Sequence, residues 1–322
     1  MNIKNNPLSS IGTHDKIAVI SHIQPDGDSL GSLLAMGMAL KTLCSNIYIY
    51  TNDIFPRKYY FLPGHQYIEE YNEDNNLFFD ICFVLDCGDP QRLGYSKNIL
   101  DKSKTIINID HHISNTEFGN INILDPQASS TCEMVYNLLK DYNFQFNQEI
   151  ATCLYTGIAT DTGNFVYDNT TSYTHRIVAE LMEYKIDLHE ISYNLYQNKS
   201  LKNIKFLGYI LNHMEIEFAG KVAIITVDQN LMKEFDITPN DIDGVINYAR
   251  DIEGIEIAIL LKESSQNEVK VGFRSKSYVD VSALARKFGG GGHKKASGAT
   301  MLGELVEVRK KIEKQIAIDL GW

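Results

Sequence analysis

The sequence contains no C-x-x-C pair, and its five cysteines are an odd number. A disulfide framework needs paired cysteines, so the composition points to reduced, buried thiols in a cytoplasmic protein. Also missing is any apolar run near the roughly 20 residues that a membrane helix requires. The opening MNIKNNPLSS is polar and lacks the apolar core of a secretory leader. No membrane partner is expected. Basic residues are in deficit, with 30 Lys and Arg against 41 Asp and Glu for a formal net charge of -11. That balance argues against a broad, sequence-independent grip on nucleic acid, which works by neutralising many phosphates. A phosphate-bearing substrate remains compatible, because bound divalent cations invert the local field. Neither an internal repeat nor a low-complexity tract is present.

What is there is the balance of a globular protein: 322 residues, 44% hydrophobic and 22% charged, enough for two domains with their own cores. From Lys16 to about Tyr184 short apolar runs alternate with helical periodicity. KIAVISH (16–22), NIYIYT, FDICFVLD and TIINID read as strands, and 29–44, 129–142, 147–160 and 174–185 as helices. Ser130 and Glu133 have the spacing of a capping box. Strands separated by helices predict a largely parallel sheet covered on both faces. Residues 187–202 read as a helical connection. Beyond them AGKVAIITVDQ, GIEIAILLKES and EVKVGFRSK are three strands, DVSALARKF is a helix, and the Gly-rich GGGGHKKASG follows. The expected fold is therefore α/β, an N-terminal parallel-sheet domain (1–186) and a smaller C-terminal α/β domain (203–322) with a cleft between them.

Active residues of parallel α/β sheets gather beyond the carboxyl ends of strands. The first strand ends in SHIQPDGDS, with His22, Asp26 and Asp28. The third ends in LDCGDP, with Asp86 and Asp89, and the fourth in Asp110, His111 and His112. GIATDTGNF adds Asp161. Singly, each has a bland reading as a turn, a helix cap or a packed histidine. Together they converge on one sheet edge, where clustered aspartates repel each other unless something positive sits among them. Two divalent ions balance Asp26, Asp28, Asp86 and Asp161, and His22 and His111 add neutral nitrogen ligands. This mixed set suits Mn2+ or a similar first-row ion better than calcium, and it lacks the thiolates of structural zinc. Strand alternation puts His111 on one face and Asp110 with His112 on the other.

The pattern H-x3-D-x-D after the first strand, an Asp at the third strand end, the D-H-H triplet and the later Asp together resemble the DHH phosphoesterase superfamily. The segment GFRSK…VDVSALARKFGGGGHKKASG is similar to the DHHA1 domain of its nuclease branch. By length and layout the chain resembles the stand-alone nano-RNase and pAp-phosphatase group. The resemblance implies one ion on His22, Asp26 and Asp86, and a second on Asp28, Asp86, His111 and Asp161, with Asp86 bridging. It implies that His112 faces the substrate phosphate, that Asp110 stands behind the ligands, and that the Gly-rich loop grips the substrate across the cleft. Arg274, Gly291, Gly292 and His293 are the expected contacts there, and Arg92 in DPQRLG is a further phosphate candidate. The Gly-rich run is not a Walker A loop, because it lacks G-x4-G-K-[ST] and follows a helix.

Two clamping ions acidify a water and hold the phosphate, which suits phosphoester hydrolysis. The expected activity is Mn-dependent cleavage of short RNA oligonucleotides to mononucleotides, with dephosphorylation of pAp. A linear or cyclic dinucleotide phosphodiesterase (pApA, cyclic di-AMP) is the near alternative. An inorganic pyrophosphatase ranks lower, since an S-R-K-x-Q-type motif is replaced here by GFRSKS and the Gly-rich run. A non-catalytic nucleotide sensor predicts a lost ligand, and all six metal ligands are present. Oligomeric state is open, a homodimer being one option. His14, His65, His175, His189 and His213 read as structural, and DIDG (241–244) as a turn or cap rather than a calcium loop.

Overall fold

The computed structural model describes the chain except residues 1–5, 52–54, 73–75, 243 and 266. Part of the polar opening and Asp243 of the DIDG stretch thus lie outside the described residues. The chain forms two compact units, Met1–Asn198 and Lys199–Trp322.

In the first unit the strands are β1 (Lys16–Ser21), β2 (Asn46–Thr51), β3 (Ile68–Glu70), β4 (Phe79–Leu85), β5 (Ser103–Asp110) and β6 (Ile121–Leu124). The helices are α1 (Gly27–Leu43), α2 (Asn98–Asp101), α3 (Thr131–Asp141), α4 (Gln148–Asp161), α5 (Ser172–Met182) and α6 (Leu188–Ser192). The sheet is wholly parallel, as expected, in the order β3-β2-β1-β4-β5-β6. This order reverses between β1 and β4, where an open α/β sheet leaves a crevice beyond its strand ends. Ser21 pairs with Leu85, and Leu85 with Ile109, so the residues that follow leave the sheet at one level.

The two faces of the sheet differ. Ile17 and Val19 of β1 join the core built with α1, α3, α4 and α5, whereas Ala18 and Ile20 face a smaller core with Tyr50, Phe79 and Ile99 of α2. The long helices are thus gathered over one face, and the second face is closed by aromatic and short helical segments. Residues 27–40 of α1 are buried throughout, because the helix lies among the sheet, α3 and α4. Glycines permit that approach. A Cβ on Gly31 would stand 2.5 Å from the Cys153 carbonyl, and one on Gly157 2.2 Å from Cys132 Sγ. Close antiparallel packing of α1 and α4 brings the end of α4, with Asp161, to the beginning of α1, with Asp28.

The second unit holds α7 (Leu201–His213), β7 (Glu215–Glu217), β8 (Val222–Val227), α8 (Gln229–Glu234), α9 (Val245–Asp251), β9 (Ile257–Ser265) and β10 (Glu268–Ser275). It continues with α10 (Val281–Arg286), β11 (Gly291–Gly292), β12 (Ala296–Leu302) and α11 (Leu305–Leu320). The sheet order is β11-β12-β10-β9-β8-β7, parallel between β8 and β9 and antiparallel elsewhere. Alternate residues of β9 serve opposite faces. Ile257, Ile259 and Leu261 pack towards α10 and α11, and Ala258 and Leu260 towards α7 and α9. The three strands read from sequence are β8, β9 and β10. The Gly-rich run, expected as a loop, instead contributes β11 and leads into β12.

Candidate metal centre

Each side chain of the cluster is delivered by the end of an element. His22 follows β1, Asp86 follows β4, Asp110 closes β5, and Asp161 is the last residue of α4. Asp86 takes a left-handed backbone (φ 55°) that turns the chain sharply off the strand, while its N–H donates to the Ile109 carbonyl at 3.0 Å. Aspartate tolerates that region better than most residues. Asp26 is the N-cap of α1, its Oδ1 accepting from the N–H groups of Asp28 and Ser29. The bland and the functional readings therefore coexist, since capping uses one oxygen and leaves the other.

Three groups share one carboxylate, Asp86 standing with Asp110 and His112 as well as in the two groups of expected ligands. Ligand atoms of His22, Asp26 and Asp86 lie within 4.8 Å of one another, and so do those of Asp28, Asp86 and His111. His22 Nε2 is 3.3 Å from Asp86 Oδ2, and His111 Nε2 is 3.7 Å from Asp86 Oδ1 and 3.9 Å from Asp28 Oδ2. Asp161 joins through His111, its Oδ2 3.6 Å from Nε2. Both imidazoles are anchored by the nitrogen that faces away. His22 Nδ1 donates to the Ile23 carbonyl at 2.7 Å, and His111 Nδ1 to the Ala128 carbonyl at 3.3 Å. Those bonds leave the Nε2 of each ring facing inward, the nitrogen that a metal-ligating histidine presents.

The electrostatics also call for a cation. Burial, then the charges of Asp86 and Asp161, push the Asp28 carboxyl well above its usual range. Burial, then Asp26 and Asp86, do the same to Asp161. Burial works against Asp86 too, but His22, His112 and His111 hold it well below the usual value. His22 is raised in turn, since the hydrogen bond to Asp86 and the charge of Asp26 outweigh its burial. Carboxylates crowded so closely that two of them resist ionisation, with imidazole nitrogens turned inward, are a donor set that fits divalent metal ions.

His112 lies beside this set. Its Nδ1 donates to Asp110 Oδ1 at 2.6 Å, and Asp110 is fully buried. Burial opposes protonation, yet Asp110 and then Asp86 push the imidazole up to about 9. Cations bound at Asp86 would counteract that rise. The strand alternation expected for the triplet stops at Asp110, where β5 ends. His111 and His112 do not diverge to opposite faces. Their rings pack edge to face with centroids 4.9 Å apart, and both approach Asp86 Oδ1 at 3.7 Å.

Sequence reasoning missed the residues that hold these groups. Thr131 and Cys132 donate backbone N–H bonds to Asp28 Oδ2 and Oδ1 at 2.6 and 2.8 Å. The Thr131 hydroxyl donates to Asp86 Oδ1 at 3.0 Å. Asn115 donates to Asp110 Oδ2 at 2.6 Å and to Asn108 Oδ1 at 2.8 Å, closing a chain from the sheet to His112. Asn169 reaches the Asp161 carbonyl at 3.2 Å. The Ser130–Glu133 spacing was the one available signal near Thr131. Ser130 does cap α3, accepting from the Glu133 N–H. The Glu133 carboxylate turns elsewhere, to Ser129 and Thr174.

Arg92 is exposed, and its charge opposes protonation of His22 and His112. Its carbonyl accepts from Ile23 N–H at 2.7 Å, tying its segment to the His22 loop. Asp89 caps the same segment by accepting from Gln91 N–H. The other candidates lie on the second unit. Arg274, on β10, donates to the Phe273 carbonyl. His293 and Ala296 exchange backbone hydrogen bonds across the Lys294–Lys295 turn. Two of the glycines are needed by the hairpin itself. A Cβ on Gly290 would stand 2.1 Å from the Gly298 carbonyl, and one on Gly292 (φ 132°) 2.7 Å from the Ala296 carbonyl. A Cβ on Gly291 would meet nothing within 4 Å. The histidines at 65, 175, 189 and 213 pack against aromatic rings, as the structural reading expects.

The profile of the DHH family N-terminal domain matches residues 16–158, and that of the DHHA1 domain matches 219–317. Over 289 residues the chain is 34% identical to the bifunctional oligoribonuclease and PAP phosphatase NrnA of Thermus thermophilus, covering 89% of this chain and 84% of that protein. The chain belongs to the DHH family. The protein of the same name from Bacillus subtilis is 27% identical over 307 residues, covering 93% of each chain. Among solved structures, an exopolyphosphatase-related protein from Bacteroides fragilis superposes with a TM-score of 0.87 at 28% identity, over 96% of this chain and 94% of that one. The candidate metal centre lies in the DHH unit and the glycine hairpin in the DHHA1 unit. All five cysteines are buried and unpaired, and no helix among the described residues is long and apolar enough to cross a membrane.

Proposed function

We propose that this DHH protein is a metal-dependent phosphoesterase that hydrolyses short oligoribonucleotides to mononucleotides and removes phosphate from pAp. The observation that carries the reading is the pair of ligand triads sharing Asp86, with the His112–Asp110 pair alongside. NrnA relatives named for these two activities support the choice of substrate. The proposed ligands are His22, Asp26 and Asp86 for one ion and Asp28, Asp86, His111 and Asp161 for the other. Their Asp/His chemistry favours Mn2+. Such ions supply Lewis-acid stabilisation of the phosphoryl group and a water acidic enough to attack at neutral pH.

The remaining roles belong to the protein. His112, held by Asp110, offers its Nε2 proton to a phosphoryl or leaving-group oxygen. Asp110 keeps the Nδ1 proton in place and stabilises the cationic ring. Arg92 adds positive charge on the substrate side. On the DHHA1 unit, Arg274, Gly291, Gly292 and His293 are the proposed phosphate contacts. Gly291 supports this, since the hairpin has no steric need for glycine there and a bare backbone admits close approach of an anion. A reducing, cytoplasmic setting is part of the proposal, supported by the five unpaired thiols.

The test offers the purified protein with Mn2+ a five-nucleotide RNA, pApA, pAp, cyclic di-AMP and pyrophosphate in parallel. Turnover of the RNA and of pAp is the expected result. Hydrolysis of pyrophosphate alone would overturn the reading, and turnover confined to cyclic di-AMP would replace it with a dinucleotide phosphodiesterase.

A further inference from the structure

Thr131 is the first residue of α3 and is wholly buried. Helix capping does not need its hydroxyl, because the neighbouring Ser130 side chain performs that task. At the first helical position no carbonyl one turn earlier belongs to the helix, so the common back-bond of a helical threonine is not available either. The hydroxyl instead donates to Asp86 Oδ1, while the same residue's N–H donates to Asp28 Oδ2. One residue thus holds two carboxylates that arrive from different elements, the end of β4 and the first turn of α1.

The bond also distinguishes the two oxygens of Asp86. Oδ2 is the one beside His22, at 3.3 Å, and Oδ1 is the one beside His111, at 3.7 Å. A carboxylate that bridges two ions must give one oxygen to each, and free rotation about its Cβ–Cγ bond would let it give both to one. The Thr131 hydroxyl fixes the rotation from the His111 side.

We propose that Thr131 is a positioning residue that aims Asp86 Oδ1 at the ion held by Asp28 and His111. The proposal rests on the two-ion reading above. Partners that orient metal ligands typically contribute about 10–100-fold in metal affinity when removed. Thr131→Val deletes the hydroxyl, keeps the side-chain shape and leaves the backbone N–H on Asp28.

Calorimetric titration of the full chain with Mn2+ tests it. Wild type is expected to bind two ions. Thr131→Val should weaken one of them about 10–100-fold and change the other by less than about 3-fold, and Thr131→Ser should restore both. The weakened ion is identified by placing Thr131→Val in two backgrounds, since a double-mutant cycle isolates a shared interaction. The loss should persist with His22→Ala and vanish with His111→Ala. Two unchanged affinities in Thr131→Val, or equal weakening of both, would overturn the proposal while leaving the two-ion reading intact. Wild-type protein that binds no Mn2+ would overturn both. Circular dichroism melts of the metal-free proteins check folding, and Thr131→Ala, which removes the same hydroxyl with less bulk, carries the same criteria if the valine variant does not fold.

Discussion

The two units each bury carboxylates, and they treat them in opposite ways. Glu256 of the DHHA1 unit is 5% exposed, yet its oxygens accept from the Ser275 and Ser277 hydroxyls and from the N–H groups of Ser277, Tyr278 and Val279. Burial alone would raise its pKa, but these donors bring it below the ordinary value. Asp28 of the DHH unit is 1% exposed and also accepts backbone hydrogen bonds, yet its carboxyl is driven upward, first by burial and then by the charges of Asp86 and Asp161 that face it. Equal burial, opposite shifts. A buried acid surrounded by donors fastens a loop, whereas acids that face one another make a donor set that suits a cation.

The largest expected effect tests the crowded side of this comparison. Asp86→Ala removes the carboxylate common to both triads, so Mn2+ binding and hydrolysis should vanish together. The loss of activity should reach about a thousand-fold or more, in line with several kcal/mol of lost charge stabilisation. Full activity with one ion missing would show that Asp86 does not bridge. A smaller effect is expected at His112, which touches Asp86 but is not placed among the ligands. His112→Ala should slow turnover by about a hundred-fold or more with both ions still bound in calorimetry. If that variant emptied the site, His112 would itself be a ligand.

Much of the DHH unit was legible because its chemistry is tied to strand ends. Apolar runs marked β1, β2, β4 and β5, and the ionisable residues just beyond β1, β4 and β5 are recognisable in the sequence itself. The short strands β3 (IEE) and β6 (INIL) gave no such signal, since three or four half-exposed residues carry no clear alternation. Thr131, Asn108 and Asn115 escaped for another reason. A threonine or asparagine becomes a positioning group only through the partner that the tertiary fold brings to it. Alternation also misjudged His111 and His112, because periodicity holds within a strand and β5 stops one residue earlier. In the DHHA1 unit the glycine run was visible, but its division was not. Gly290 and Gly292 serve the hairpin, Gly289 has a left-handed backbone (φ 73°), and Gly291 has neither a steric nor a left-handed backbone need for glycine.

The smallest expected effect compares the anchored acid Glu256 with Asp161, a partly exposed member of the crowded set, in metal-free protein. Glu256→Gln keeps the shape but gives up charge-assisted hydrogen bonds, and should destabilise the DHHA1 unit by about 1.5–3 kcal/mol at pH 7. Asp161→Asn removes one of the mutually repelling carboxylates, and should leave the DHH unit as stable as wild type or about 1 kcal/mol more stable. The pH dependences have opposite signs. The Glu256 pKa is lowered from 4.5, so its contribution is complete above that value and is lost as pH falls through the folded pKa. Glu256→Gln should therefore flatten the acid limb of the stability curve. The Asp161 pKa is raised from 3.8, so the cost of ionising it grows as pH climbs above that value. The advantage of Asp161→Asn should then appear on raising the pH and disappear in acid. Urea unfolding of chelator-treated protein between about pH 3 and 8 reads both. Equal destabilisation by the two substitutions would mean that Asp161 is fastened like Glu256, and the contrast between a loop anchor and a cation site would fail at that residue.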